Sequence, residues 1–258
     1  MTPVDHSDAA IHAARLDRLT DKGLRAADIT DDDIDWDTGI KKPAWLRMQY
    51  VRTAVSQLYF GELATITKCE RLLRALDDDN AIRFVRTQIA DEQRHVRYYE
   101  RYLARAGGIE EICEGVAMAY EGALAWRGSY HGAIVAFHIV LEGEGLRLQQ
   151  LYGDWFPCPL FKQMNTLIAR DEGRHVAFGK IFLRHQLQAL ALEERIEIYQ
   201  WVRKLWFDCT DPIQADMPGI VFRAVGRGWA ETRWCRQREA LIDIGLVQPH
   251  ETAQFDRC

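Results

Sequence analysis

Between residues 43 and 190, apolar side chains recur at steps of three and four, the spacing that gathers them on one face of an α-helix. Pro43 suits the first turn of a helix, where its missing N–H would have no partner anyway. The stripe that follows reads Val51, Val55, Leu58, Glu62, Ile66, Cys69 and Leu73, so a carboxylate stands in the middle of an apolar face. Asp77, Asp78, Asp79 and Asn80 supply a turn and an N-cap for a second helix over about 81–106, stopped by Gly107 and Gly108. Its inward face reads Ile82, Val85, Ile89, Glu92, His95, Tyr99 and Tyr102, and the short connection predicts antiparallel packing against the first. A third helix is expected over about 130–152. There one stripe carries Val135, His138, Ile139, Glu142 and Leu146, and a second, equally good, carries Phe137, Leu141, Glu144, Leu148 and Leu151. A fourth, over about 159–190, turns Met164, Ile168, Glu172, His175, Gly179 and Leu183 inward. Period-two alternation and hairpin dipeptides are absent, so the class is all-α.

The flanks read as accessories to this bundle. Residues 8–27 have weaker helical periodicity that an acidic segment around 30–36 interrupts, which suggests an arm or lid. Residues 109–127 form a short helical crossover between the two helix pairs. Two further helices, over 192–209 and 219–246, are rich in Trp and Arg and would brace the bundle or form a dimer surface. The expected organisation is an N-terminal arm over 1–42, a four-helix bundle over 43–190 and bracing helices of the same domain over 191–258.

Composition narrows the setting. A chain of 258 residues with 48% hydrophobic content can bury one sizeable core without a second domain. The net charge is −5 and the basic residues are interspersed with acids, which gives nucleic acid no basic face to bind. Apolar runs such as Gly132 to Leu141 reach only about half of the roughly 20 residues that span a bilayer. No membrane association is expected. The start of the chain has neither a basic stretch nor an apolar core, so the expected location is the cytoplasm. Six cysteines (Cys69, Cys113, Cys158, Cys209, Cys235, Cys258) show no Cys-x-x-Cys pairing and read as reduced thiols, several of them buried.

The chemistry lies in a repeat. Asp91, Glu92, Arg94 and His95 recur as Asp171, Glu172, Arg174 and His175, each 80 positions on (92 to 172, 95 to 175). On a helix, residues three apart share a face, so each copy aims a carboxylate and an imidazole at one point. Two helices that each supply Glu and His need two more that each supply one carboxylate. Glu62 and Glu142 stand thirty residues before Glu92 and Glu172 and are themselves 80 apart, which favours Glu142 over Glu144. Four carboxylates and two imidazoles form a hard oxygen and nitrogen donor set, suited to Fe or Mn better than to zinc. Buried together without cations, the carboxylates would repel one another. A metal-bound His normally donates its second ring N–H to a carboxylate. Asp91 is expected to serve His175 and Asp171 to serve His95, while Arg94 and Arg174 neutralise the surplus acid.

This pattern resembles the ferritin-like diiron carboxylate superfamily over roughly residues 44–190. The doubled Asp-Glu-x-Arg-His is similar to bacterial multicomponent monooxygenase hydroxylases, and the arrangement to ribonucleotide reductase small subunits and their oxidase relatives. The resemblance implies a ferritin-like four-helix bundle with a pair of metal ions, two Fe or Mn/Fe, that activates O2. The implied ligands are Glu62, Glu92, His95, Glu142, Glu172 and His175, the four glutamates being the catalytic carboxylates and Glu92 and Glu172 the candidates to bridge. Departures are specific. Leu146 stands where the multicomponent monooxygenases place a threonine, and Ile168 where arylamine N-oxygenases add a histidine. Tyr99, four after His95, is placed similarly to the radical-bearing tyrosine of the reductase subunits, although core packing is its first reading. His138 reads first as a buried structural histidine and second as an extra ligand or substrate contact.

The function expected is an O2-dependent oxidase or monooxygenase acting on a small organic molecule. It would draw electrons from a separate reductase or ferredoxin, because no flavin or nicotinamide fingerprint is present. A homodimer is the expected assembly. A radical-generating subunit and an iron-storage or detoxification protein are the alternatives.

Overall fold

The computed structural model describes residues 6–215, 228–253, 255 and 256. Helix α1 spans His6–Ala26. The first bundle helix, α2, spans Met48–Ala75, later than Pro43 suggests, because Pro43 instead opens a turn whose carbonyl accepts from Leu46 N at 3.1 Å. Helix α3 spans Asp79–Ala106; the Asp78 side chain caps it by accepting from Ala81 N at 2.8 Å. It ends at Gly107, whose φ of 110° only glycine adopts without strain. Helix α4, Glu114–Leu124, is the expected crossover.

The third bundle helix departs most from expectation. It is built from α5 (Tyr130–Ile134), a π-helical segment (Val135–Leu141) and α6 (Glu142–Trp155). All of Ile134 to Val140 are buried, because the helices over Pro159–Gln186, Leu192–Ala215 and Trp229–Asp243 all pack against this segment. Helix α7 spans Pro159–Gln186 with its proline at the first turn and continues into a 3-10 turn, Leu187–Ala189. Helices α8 (Leu192–Ala215), α9 (Trp229–Asp243) and α10 (Pro249–Thr252) follow. The part of the expected last helix over 219–227 lies outside the described residues. Among the described residues there is no strand, and no helix is long and apolar enough to cross a membrane.

Helices α2, α3, α5–α6 and α7 make the ferritin-like bundle, and α1 packs along α3 and α7. Two apolar cores fill it. One joins Val51 and Val55 of α2, Tyr98 to Leu103 of α3 and Leu160 to Ile168 of α7; the other joins Cys69 and Leu72, Phe84 and Val85, the π segment, and Phe178 to Leu183. The start of α2 thus meets the end of α3, as antiparallel packing requires. Between the two cores lies a buried polar layer containing the repeat. Helix α4 lies across α2 and packs on α8, where Gly115 permits a close approach: a Cβ there would sit 2.5 Å from the Cys209 carbonyl oxygen. Helix α9 docks on α8 through Trp206, Trp229 and Trp234, with Trp206 Nε1 donating to the Ala230 carbonyl at 3.0 Å. Cys69, Cys158 and Cys209 are free thiols, whereas Cys235 is disulfide-bonded and departs from the reduced state expected of it.

Candidate metal centre

The repeat positions converge. Glu62, Glu92, His95 and Glu172 present donor atoms within 4.8 Å of one another, and so do Glu92, Glu142 and His175. Both imidazoles face the cluster with Nδ1. His95 Nδ1 lies 3.1 Å from Glu92 Oε2 and 3.4 Å from Glu172 Oε1; His175 Nδ1 lies 3.2 Å from Glu92 Oε1 and 3.5 Å from Glu172 Oε2. Glu92 and Glu172 therefore each reach both imidazoles, one oxygen apiece, which is the placement a bridging carboxylate needs. Glu62 Oε2, 3.6 Å from His95 Nδ1, belongs to one side only.

The outer ring nitrogens are fixed by a crossed arrangement between α3 and α7. His95 Nε2 lies 3.3 Å from Asp171 Oδ2, and His175 Nε2 lies 3.3 Å from Asp91 Oδ2. Each aspartate also accepts from both arginines: Arg94 donates to Asp91 at 2.7 Å and to Asp171 at 2.6 Å, and Arg174 to both at 2.5 Å. Two negative and two positive charges, all buried, thus balance one another. The four residues form a closed square that orients both Nδ1 atoms inward.

The electrostatics of the cluster favour added positive charge. Burial, together with Glu92 and Glu172, pushes the Glu62 carboxyl well above the usual range. Burial opposes the charged forms of both imidazoles, but Glu62 beside His95 and Glu92 beside His175, with their aspartate partners, outweigh it and hold both well above their usual value. Glu142 Oε2, in the second donor set, is buried with no hydrogen-bond partner, and His175 Nδ1 of the same set meets only the carboxylates of Glu92 and Glu172. A divalent cation would satisfy both, so the residues fit a metal pair.

Four residues near the cluster were not singled out by the repeat. Lys68 is buried, its Nζ 3.2 Å from Glu142 Oε1 and 3.4 Å from His138 Nδ1. Gln88 Nε2 donates to Glu92 Oε1 at 3.0 Å and Glu142 Oε1 at 2.9 Å, while its carbonyl accepts from His138 Nε2 at 3.0 Å. Both lie at helical spacing on their stripes (Thr65, Lys68, Leu72; Val85, Gln88, Glu92), so a polar residue among buried neighbours was the available signal. Gln149 and Tyr120 help line a cavity of about 30 Å³ with Leu58, Gly61, Glu62 and Leu141. A Cβ on Gly61 would meet the Tyr120 hydroxyl at 2.5 Å, so glycine there is what lets α4 bring its phenol down to the cluster. Nothing in the spacing alone announces Tyr120, because α4 is outside the bundle.

The remaining candidates are elsewhere. Glu144 turns away from the cluster and pairs with Arg233 of α9, with Gln237 donating to it at 3.3 Å. His138 is buried beside the second donor set but outside both sets, bonded to Lys68 and Gln88. Tyr99 is fully buried in the core that holds Met164 and Ile168, its hydroxyl accepting from Gln149 Nε2 at 3.4 Å.

No family model matches the sequence, and no curated protein does. Solved structures do. A glycine-to-leucine variant of an R2-like ligand-binding oxidase with an anaerobically reconstituted Mn/Fe cofactor has TM-score 0.66 at 17% identity, covering 90% of this chain and 93% of that one. A glutamate-to-aspartate variant with an aerobically reconstituted Mn/Fe cofactor has TM-score 0.62 at 17% identity, covering 92% and 87%. An R2-like ligand-binding oxidase with the cofactor reconstituted aerobically has TM-score 0.59 at 17% identity, covering 92% and 86%. At this identity the likeness establishes the fold, the ferritin-like bundle expected from the repeat.

Proposed function

We propose that the chain is a dinuclear-metal oxidoreductase that uses O2 to oxidise a small organic molecule. The observation that carries this reading is the pair of donor sets sharing Glu92, buried between two apolar cores, with Glu142 Oε2 left without a partner. Glu62, Glu92, His95 and Glu172 would hold one ion, and Glu92, Glu142 and His175 the other. Two irons, or a manganese and an iron, would supply the redox steps that activate O2. The chain's own residues do the rest. Asp91 and Asp171 fix the tautomer of each imidazole, and the arginine pair keeps those aspartates ionised and in place. Leu58, Leu141 and Tyr120 close the near side and limit water.

A cavity of about 30 Å³ has room for dioxygen or a water, while a drug-sized ligand fills about 300 Å³ or more. An organic substrate therefore enters with displacement of Tyr120 and the α4 roof. Gln149 Oε1, buried and without a partner, is the polar handle such a substrate would meet first. Electrons come from a separate reductase or ferredoxin. A homodimer in the cytoplasm remains the proposed setting.

The test is to load metal-free protein with Fe(II) without oxygen, then add O2 and follow its consumption with and without reductant. Uptake of about one O2 per iron pair supports the reading, and stoichiometric metal binding with no uptake overturns it. Electron paramagnetic resonance on the same samples addresses the radical-generating alternative: a tyrosyl signal lost in Tyr99→Phe would favour that role.

A further inference from the structure

The 80-residue repeat also measures where the two halves of the cluster differ. Glu62 and Glu142 are equivalent by that offset. Around Glu142 stand Lys68, Gln88 and His138, and their counterparts at the same offset are Leu148, Ile168 and Leu58. One half of the duplicated structure is thus lined by a cation, an amide and an imidazole where the other carries three aliphatic residues. Lys68 also faces the Phe137 ring, 5.2 Å from its centroid, so its ammonium has little freedom to withdraw.

Charge arithmetic gives this difference a consequence. Four carboxylates balance two divalent cations, and the Asp91, Asp171, Arg94 and Arg174 square balances itself. Lys68 is one positive charge too many, and it sits on Glu142. A cation entering the Glu92, Glu142 and His175 set must compete with the ammonium for that carboxylate and then remain near it in a low-dielectric interior. The set built on Glu62, His95 and Glu172 has no such competitor among the described residues.

We propose that Lys68 makes the two metal positions unequal, so that the first ion occupies the Glu62, His95 and Glu172 side and the second binds more weakly at Glu142 and His175. Gln88 and His138 hold Lys68 in place: His138 accepts from it, and Gln88 donates to the same Glu142 oxygen. This inference rests on the dinuclear reading above and concerns only the order and strength of filling.

The experiment is an anaerobic Mn(II) titration of the metal-free full chain, followed by calorimetry and by electron paramagnetic resonance. The wild type should show two dissociation constants separated by about tenfold or more, and at one equivalent a mononuclear signal rather than a coupled pair. Lys68→Met, which keeps the length and removes the charge, should shrink the separation by about tenfold, and Lys68→Arg should keep it. A crystal grown with one equivalent of Mn(II) gives a readout independent of how well the variants fold, with anomalous density expected at the His95 side. Density at the His175 side, equal constants in the wild type, or an unchanged separation in folded Lys68→Met would each overturn the inference. Failure of the wild type to bind any Mn(II) or Fe(II) would instead overturn the dinuclear reading itself.

Discussion

The two imidazoles of the cluster are aimed by what holds their far nitrogens. Because Asp171 and Asp91 take the Nε2 positions at 3.3 Å, Nδ1 of each ring is committed to the carboxylates. Asp91→Asn should therefore loosen His175, on the opposite helix, more than it disturbs α3. Competition with a chelator is expected to show metal affinity lowered about 10–100-fold, and unfolding to show a loss of about 3–5 kcal/mol as Arg174 and Arg94 lose a buried partner. Glu92→Ala and His175→Ala should each leave fewer than two metal ions per chain by elemental analysis. Glu144→Ala should leave the metal content at two and cost about 1.5–3 kcal/mol, since it frees Arg233. An emptied site in Glu144→Ala, with Glu142→Ala still loaded, would reverse these roles. At this scale the repeat made the six converging side chains and the four around them legible, because duplication writes the same chemistry twice. Lys68, Gln88, Gln149 and Tyr120 escaped it because they belong to one half only.

Among the elements, the third bundle helix carries the largest difference between pattern and structure. Both apolar stripes fitted the sequence there because the π segment widens one turn: residues before it and after it follow α-helical spacing, but in two registers. A period read across the junction cannot choose between Glu142 and Glu144. The segment is held against α7 at Gly179, where a Cβ would lie 2.5 Å from His138 Cβ. Gly179→Ala should push the segment outward, lowering stability by about 1–3 kcal/mol in chemical denaturation. It should also weaken the second metal ion more than the first, since Glu142 begins the next helix. A Gly179→Ala protein of unchanged stability would mean that this contact is slack. The other bundle helices were readable because proline, aspartate and glycine mark their ends, although Pro43 marks a turn rather than the start of α2.

For the molecule as a whole, a charged layer is sandwiched between two apolar cores, and its stability depends on what neutralises it. In metal-free protein His95 and His175 are held above the usual imidazole value. A histidine raised on folding contributes fully below its unfolded pKa of about 6.5 and loses that contribution as pH rises through the folded value. Glu62, raised by burial, acts in the same direction, because above about pH 4.3 only the unfolded chain ionises it freely. Asp91 and Asp171, lowered by their histidine and arginine partners against the effect of burial, give stability that is lost only in acid. The melting temperature of the metal-free chain should therefore fall as pH rises above about 6.5, and two equivalents of Mn(II) should flatten the profile. A flat profile without metal would show that the imidazoles carry no such protons. The sequence disclosed the all-helical class and the central layer, but not the cap over it, since α4 meets the bundle through contacts distant in the chain. Gly61 is where that cap meets α2 most directly above the cluster. A single hydrogen atom on its α-carbon is all that separates the backbone of α2 from the Tyr120 phenol. Adding one methyl there would prop the door ajar, and the first sign would be metal leaching faster into a chelator while the barrel of helices stayed intact.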